Sequence, residues 1–234
     1  MNRSMSMYAD TVFINGVVIT VDRNDTVCQA AAVRDKYIVY TGDNEGAKLW
    51  TGPETRVIDL NGRALLPGFV DAHCHLGMRG QNAAVILDCS AQKAPDIPSI
   101  QRIIREEAQR LPKGAWIKAT GYDQGKLKEG RHPTRAELDE AAPDNPVQLT
   151  RTCLHMGVYN TKALEAGDIH PENFAKGEVV TDENGQMTGL LKERACTYMW
   201  DKVMYTKEEY MRAFKTANDM FLRCGITSVH DASF

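Results

Sequence analysis

Two histidines one residue apart follow an apolar run in the segment LLPGFVDAHCHLG, residues 65–77. Successive side chains of a β-strand point to opposite faces, so His73 and His75 would project together at the end of a short strand. Neutral imidazoles held in this way bind a divalent ion such as zinc, iron, nickel or copper. Cys74, between them, would point away into packing. The spacing therefore indicates a metal site, against the alternative of two histidines that share a strand end by chance.

The chain before this segment is rich in short β-strand patterns. Asn-Gly and other tight-turn sequences between β-branched arms are typical of hairpins, and several of them in about 60 residues indicate a small β-sandwich or barrel. The spacing also predicts a short helix over 44–50. The predicted hairpins are 11–22 with its turn at Asn15-Gly16, 30–43 with its turn at 34–36, and 55–68 with its turn at Asn61-Gly62.

From residue 67 onward helical and extended patterns alternate, which favours an α/β fold. In the helix predicted over 96–111, apolar residues recur at helical spacing and Ser99 is the expected N-cap. Thr206 and Glu209 form a capping-box sequence at the start of another helix. Asn160 or Thr161 is expected to cap a third. The predicted helices are 96–111, 133–143, 159–167 and 206–225, the strands are 114–123, 146–153 and 226–233, and 177–195 is a hairpin that leads to a helix.

The composition argues against several classes of partner. The net charge of −3 gives no basic surface for nucleic acid or for an anionic membrane. No stretch reaches the roughly 20 apolar residues of a membrane span, and the first residues lack a signal-peptide pattern. The six cysteines include no C-x-x-C pair, which favours free thiols in a reducing compartment. These features predict a cytoplasmic protein.

An ordered set of motifs resembles a known family. ALLPGFVDAHCHL (64–76) after a β-rich segment is similar to the first barrel strand of the metal-dependent amidohydrolase superfamily. The later segments resemble, in the same order, the YtcJ-like subfamily, which includes N-substituted formamide deformylases. They are GAWIKATGYDQGKL (114–127), HPTRAELDEAAPDNPVQLTRTCLHMGVYNTKAL (132–164), GEVVTDENGQMTGLLKERA (177–195) and GITSVHDAS (225–233).

The resemblance implies a reaction and a cofactor. The family hydrolyses amide-type C–N bonds with water that a divalent metal activates, because the cation lowers the pKa of bound water. Zinc is the preferred ion, as one or two ions, and the substrate is expected to be a small amide. His73 and His75 match the metal ligands of the first strand. Glu193 matches a recurring acidic position and is the candidate for a further ligand, with Lys192 as its rival and a solvated charge pair as the alternative to both.

Other polar residues are weaker candidates. His155 matches a subfamily histidine near the substrate and could polarise the carbonyl group or hold the substrate, although it could also cap a loop. Asp123 lies in a loop at a strand end and is a second candidate catalytic residue. His230 and Asp231 end the last predicted strand, where a packing role is as reasonable as a functional one. His132 and His170 are expected to be ordinary loop residues.

The resemblance implies a β-sandwich part over 1–66 and, over 67–234, the start of a (β/α)8 barrel. A long insertion, 76–225, separates the first two barrel strands. A complete barrel takes about 250 residues, so the barrel is expected to be incomplete in this chain. The alternatives are a catalytically incomplete fragment or a non-catalytic binding or assembly module. A third alternative is a hydrolase of ring amides, although the long insertion argues against it. Assembly into homo-oligomers is possible.

Overall fold

A computed structural model describes residues 7–232. They divide into two units. The first unit holds residues 7–71 and 225–228, and the second holds 72–224 and 229–232.

The first unit is built mainly from two small sheets. One has the strand order β5-β4-β1-β6 and the other has the order β3-β2-β7. Their elements are β1 (Thr11–Ile14), β2 (Val17–Ile19), β3 (Val27–Cys28), β4 (Ala30–Arg34), β5 (Tyr37–Gly42), α1 (Asn44–Lys48), β6 (Arg56–Asp59) and β7 (Ala64–Leu65). The short helix predicted over 44–50 is confirmed as α1, where the Asp43 side chain accepts a hydrogen bond from Gly46 N at 2.7 Å.

The three predicted hairpins do not share one outcome. The hairpin over 30–43 is confirmed, because β4 and β5 pair antiparallel with Arg34 opposite Tyr37. The hairpins at Asn15-Gly16 and Asn61-Gly62 are wrong. In both places the chain leaves the four-stranded sheet and enters the three-stranded one.

The two turns fail to make hairpins because they lie side by side. β1 pairs parallel with β6, and β2 pairs parallel with β7. Asn15 Nδ2 donates to Asp59 Oδ2 at 3.0 Å, and Gly62 N donates to Asn15 O at 2.7 Å. A two-residue type I′ hairpin needs positive φ at both central residues, and in the first turn only Asn15 has it, at 55°. In the second turn both Asn61, at 49°, and Gly62, at 77°, have positive φ, so there the parallel pairing and not the turn geometry directs the chain into the second sheet.

Alternation along β4 divides the core of the first unit. Ala30 and Ala32 pack with Val12 and with Ala47 of α1. Ala31, between them, packs instead in a cluster that contains residues of the three-stranded sheet. A period of two along one strand therefore serves two apolar clusters.

The second unit contains a six-stranded mixed sheet within the predicted insertion. The strand order is β13-β14-β12-β11-β10-β9, where β10 pairs parallel with β9 and β11 and the other pairs are antiparallel. The strands are β9 (Leu87–Asp88), β10 (Ile117–Tyr122), β11 (Val147–Arg151), β12 (Met156–Tyr159), β13 (Val179–Thr181) and β14 (Met187–Lys192). β12 is a strand that the sequence patterns did not predict.

Six α-helices and a short 3-10 helix, Pro171–Asn173, lie in the described part of the second unit. The α-helices are α2 (Leu76–Ala84), α3 (Ile97–Arg110), α4 (Arg135–Ala141), α5 (Thr161–Ala166), α6 (Glu193–Trp200) and α7 (Lys207–Arg223). The capping box of Thr206 and Glu209 and the Asn160 cap are confirmed. The predicted cap of α3 is wrong, because Asp96 caps this helix and accepts from Ser99 N at 3.0 Å. The helix α2 was not predicted.

Two further strands, β8 (Phe69–Cys74) and β15 (Ile226–Asp231), pair with each other. Within residues 7–232 they form a two-stranded sheet, and no closed barrel is present there. The observed fold is therefore mixed α/β, with a separate sheet in the segment between these two strands. No helix in the described part of the chain has the length and apolar character needed to cross a membrane.

The sheet of the second unit is buried on both faces. One cluster joins Leu149 and Val158 to Ile100 and Ile104 of α3, which belong to the predicted apolar stripe. A second cluster includes Tyr159 and residues of α5 and α6. The close packing of α2 against α7 depends on a glycine, because a Cβ atom at Gly80 would lie 2.2 Å from the carbonyl oxygen of Ala213.

Candidate metal centre

The strand β8 presents the two histidines as the spacing predicts. His73 and His75 are exposed, and Cys74 between them is buried. His73 belongs to β8, and His75 is the residue at which the strand gives way to the helix α2. The two imidazole rings lie 5.5 Å apart, centre to centre, with 84° between their planes.

This arrangement fits two ligands of one metal ion. With metal–nitrogen bonds of about 2.0–2.1 Å in tetrahedral geometry, two imidazole centres lie about 5 Å apart. The observed separation of 5.5 Å needs only a small side-chain adjustment. Within residues 7–232, however, no group of three or more His, Cys, Asp or Glu side chains is placed to hold an ion. The ligand role of His73 and His75 therefore stays a prediction, with which the separation of the two rings is compatible.

His230 belongs to β15, the strand that pairs with β8. Phe69 N donates to Gly225 O and Ala232 N donates to Cys74 O, each at 2.8 Å, so the two strands run parallel. His230 is exposed, and among the described residues it forms no metal-binding group with His73 and His75. The role of His230 stays a prediction.

The structure brings together two residues that the sequence indicated separately. His155 Nδ1 lies 3.2 Å from Glu193 Oε2, with 67% and 60% of the side chains exposed. Glu193 N also donates to His155 O at 2.8 Å. The pairing of β12 with β14 accounts for this contact. Met156 lies opposite Lys192, and His155 precedes Met156 while Glu193 follows Lys192. Sequence spacing could not show this, since β12 was not predicted.

The backbone of Glu193 is strained at this point. Its φ of 45° lies in the left-handed region, where a residue with a Cβ costs about 1–2 kcal/mol. Such strain persists only where the surroundings fix it, and it is more frequent at functional sites. Glu193 is also the first residue of α6, with Lys192 as the N-cap. The positive φ places the Glu193 carboxylate at the helix start, beside the imidazole of His155.

The two alternatives for a further ligand stay predictions. Glu193 contacts His155 through Oε2, and neither Glu193 nor Lys192 forms part of a described metal cluster. The second carboxylate oxygen, Oε1, makes no hydrogen bond or ion pair with the part of the chain that the structure describes. A ligand role for Glu193 would use this atom.

The other candidate catalytic residue, Asp123, makes hydrogen bonds that hold its own loop in place. Its Oδ1 accepts from Arg151 Nη2 at 2.9 Å and from Gly125 N at 3.2 Å. Arg151 also donates from Nε to Gln124 Oε1 at 2.6 Å. These bonds hold the loop after β10 against the end of β11. The catalytic role of Asp123 stays a prediction, and its observed contacts account for the residue as a support of the loop.

A buried ion pair was missed by the sequence patterns. Lys118 Nζ lies 2.8 Å and 2.7 Å from the two carboxylate oxygens of Glu209, and the lysine side chain is only 3% exposed. The ammonium group also lies 4.4 Å from the ring centre of Tyr205. The available signal was a lysine inside the apolar strand AWIKAT, because a buried lysine requires a partner.

Comparison with known proteins connects these features to a family. Residues 56–233 match the Amidohydrolase family. The chain is 31% identical to N-substituted formamide deformylase of Arthrobacter pascens, over 97% of this chain and 43% of that protein. It is 34% identical to the putative amidohydrolase YtcJ of Bacillus subtilis, over 88% of this chain and 39% of that protein.

A solved structure shows the same arrangement of the backbone. The match is an uncharacterized metal-dependent hydrolase from Pyrococcus horikoshii, with a TM-score of 0.74 and 29% identity over 94% of this chain and 42% of that one. The chain thus spans about two fifths of the length of these relatives. Because the family match covers more than half of its residues, including both histidines of β8, this chain belongs to the Amidohydrolase family.

Proposed function

We propose that the protein carrying this chain is a metal-dependent hydrolase of small non-peptide amides, of the N-formyl or N-acyl type. The observation that carries the proposal is the pair of exposed imidazoles of His73 and His75, 5.5 Å apart at the end of β8. The names of the Arthrobacter relative and of the Pyrococcus structure support amide hydrolysis and metal dependence respectively. Zinc is the preferred ion, because imidazole ligands and an open coordination position suit it.

The two histidines would hold the ion as neutral imidazoles. When bound, a divalent cation supplies activated water and polarises the carbonyl oxygen of the substrate. Further ligands would come from parts of the whole protein outside this chain, with Glu193 Oε1 as the candidate within it. The buried Cys74 fixes the strand end between the two ligands, so that both imidazoles stay on the exposed face.

His155 is proposed to hold the substrate. If Nδ1 carries the proton that it donates to the Glu193 carboxylate, Nε2 keeps its lone pair. That nitrogen can accept a hydrogen bond from the N–H of an amide and orient the bond to be broken. Glu193 would then act through His155 by fixing the tautomer and the orientation of the ring. The amide substrate, a cytoplasmic location and the absence of nucleic-acid and membrane partners belong to the same proposal, and assembly into homo-oligomers stays open.

The test is hydrolysis by the full-length protein. We expect formate or acetate release from N-alkyl formamides and acetamides, and loss of release in His73→Ala and His75→Ala. His170→Ala is the matched control, because His170 is also exposed and contacts only acidic neighbours, at 3.0 Å and 3.9 Å. Equal rates in the wild-type protein and in both β8 variants would refute the proposal.

A non-catalytic binding or assembly module is the second candidate. Within the described residues, no third ligand joins His73 and His75 in a metal-binding group. The same assay separates the candidates, because a non-catalytic module would bind amides without releasing either acid.

A further inference from the structure

The second unit contains a cavity that the metal ligands do not use. Its volume is about 270 Å³. Its polar wall comes from one face of the paired strands β10 and β11, where Thr120 lies opposite Thr150 and Lys118 lies opposite Gln148. Apolar and aromatic residues form the rest, among them Met78, Trp200 and Tyr205.

The cavity wall is electrically neutral. None of the described residues that line it is charged at neutral pH. The nearest buried cation on the same strand face, Lys118, is held by the carboxylate of Glu209 at 2.7 Å and 2.8 Å. Burial raises the pKa of Tyr205 to about 12, so its hydroxyl group is also neutral near pH 7. A charged ligand group would lose its hydration here without gaining a partner, which disfavours it strongly.

Two hydroxyl groups on the polar wall remain available. Within residues 7–232 the hydroxyl groups of Thr120 and Thr150 make no hydrogen bond to another protein group. No buried side-chain oxygen or nitrogen is left unsatisfied in the described residues, so these hydroxyl groups are accessible from the cavity. The amide group of Gln148 is partly engaged, at 3.4 Å from the Tyr159 hydroxyl group. The wall therefore offers neutral donors and acceptors to a ligand.

The size of the cavity limits what can enter. An apolar cavity of about 150 Å³ accommodates benzene. A volume of about 270 Å³ therefore holds a six-membered ring with a few additional atoms. The aromatic side chains of Trp200 and Tyr205 offer large apolar contact to such a ring.

The cavity is joined through the chain to both candidate positions of the site. Met78 lies three residues after His75 in the same helical segment, which is about 4.5 Å along a helix axis. Leu154, another residue of the wall, directly precedes His155. His75 and His155 themselves do not line the cavity, so the connection is one of chain neighbours.

We propose that this cavity binds the uncharged ring or branched-alkyl substituent of the amide substrate, so that it selects neutral, bulky amides. That the bound molecule is a substrate rests on the proposed hydrolase function. The binding of a neutral ring-bearing amide to the cavity follows from the wall itself.

Binding can be measured without catalysis. The probes are cyclohexanecarboxamide and cyclohexanecarboxylate, which have nearly the same shape but differ in charge. We expect calorimetry on the full-length protein, stripped of metal with a chelator, to show saturable binding of the carboxamide and at least about tenfold weaker binding of the carboxylate. No saturable binding of the carboxamide, or equal binding of both probes, would overturn the proposal.

One pair of variants locates the binding. Met78→Trp fills the cavity from an exposed helix position and should abolish binding of the carboxamide. Met204→Trp makes the same change at a residue that is 74% exposed and outside the wall, and it should leave binding intact. Thr120→Val keeps the volume of the side chain but removes one hydroxyl group of the wall, so it should weaken binding of the carboxamide. This variant replaces Met78→Trp as the test if Met78→Trp does not fold. Equal binding by the wild-type protein and the folded wall variants contradicts the assignment.

A second measurement separates this inference from the hydrolase proposal. If formamides are hydrolysed, Met78→Trp should raise KM for N-cyclohexylformamide by about tenfold and leave KM for N-methylformamide unchanged. An equal rise for both substrates would contradict the cavity assignment while the hydrolase proposal stands. If neither substrate is hydrolysed but the carboxamide binds, the hydrolase proposal fails and the cavity is retained as a binding site.

Discussion

His155 and Glu193 are far apart in the sequence, yet His155 Nδ1 lies 3.2 Å from Glu193 Oε2. Their contact results from the antiparallel pairing of β12 with β14. His155 is the residue before β12 and Glu193 is the residue after β14, so the pairing brings the two together. The strained backbone of Glu193 at the start of α6 fixes the carboxylate beside the imidazole. We therefore propose that Glu193 acts through His155, a role that differs from the ligand role implied by the family resemblance.

The first prediction separates these two roles. Glu193→Gln should lower kcat/KM by about ten- to a hundredfold, because the ring of His155 loses its charged partner. The metal content should stay unchanged, and the double variant with His155→Ala should be no slower than His155→Ala alone. Kinetics and metal analysis of the full-length protein measure both quantities.

Glu172→Gln is the matched control, since Glu172 is an exposed acid 3.9 Å from His170. It should leave the rate unchanged. Loss of metal from Glu193→Gln would show instead that Glu193 is a ligand, as the family resemblance implied.

The second prediction concerns two glycines of α2. Gly80→Ala should lower the free energy of unfolding by about 1–3 kcal/mol, because the new Cβ would lie 2.2 Å from Ala213 O and backbone cannot move aside cheaply. Gly77→Ala on the same helix meets only the ring of Phe214 at 3.7 Å and should be tolerated. Urea unfolding of the full-length variants measures the difference, and equal stability of the two would contradict the packing described for α2 and α7.

The third prediction concerns the buried pair of Lys118 and Glu209. Glu209→Gln should cost about 3–5 kcal/mol of unfolding free energy, since it leaves a buried ammonium group without its counter-charge. Lys118→Met should cost less, because Glu209 is 19% exposed and still accepts from Thr206 N at 2.8 Å. The control is Lys215→Met in the exposed pair with Asp219, which should change stability by less than about 1 kcal/mol. The reverse order of the first two variants in denaturant unfolding would argue against this account.

The fourth prediction is a dependence of stability on pH. The hydrogen bond from Lys128, and then those from Ser99, lower the pKa of Asp96 from 3.8 to about 2. A carboxyl group whose pKa is lower in the folded state stabilises the protein above pH 3.8, and this contribution is lost as the pH falls toward 2. Asp96→Asn should therefore be less stable than the wild-type protein at pH 6, and the difference should disappear near pH 2.

The control for this pH dependence is Glu54→Gln, at an exposed carboxyl group. It should leave the stability at pH 6 unchanged, because the side chain is exposed. A stability gap for Asp96→Asn that stays constant down to pH 2 would show that the ion pair with Lys128 contributes nothing.

Local patterns predicted most elements, and they failed where a long-range contact decides. The helix α7 and its capping box follow from neighbouring residues, so they were predicted correctly. Asn15-Gly16 and Asn61-Gly62 have the composition of hairpin turns, but parallel pairing of β1 with β6 sends both chains into a second sheet. No local signal specifies a partner strand that lies about 45 residues away.

The same distinction applies to the candidate site. The exposure of His73 and His75 around a buried Cys74 follows from the period of a strand and was predictable. The contact of His155 with Glu193 and the pair of Lys118 with Glu209 both depend on strand or helix pairing. These relationships require the fold, because residues of very different sequence position meet only through it.

The most direct test of the central claim is the metal content of the full-length protein and of its His73→Ala/His75→Ala double variant, measured by mass spectrometry of the purified proteins after metal exchange. We expect the wild-type protein and the His170→Ala control to retain a divalent ion and the double variant, still folded, to lose it. Retention of the same amount of metal by the folded double variant would show that His73 and His75 are not metal ligands.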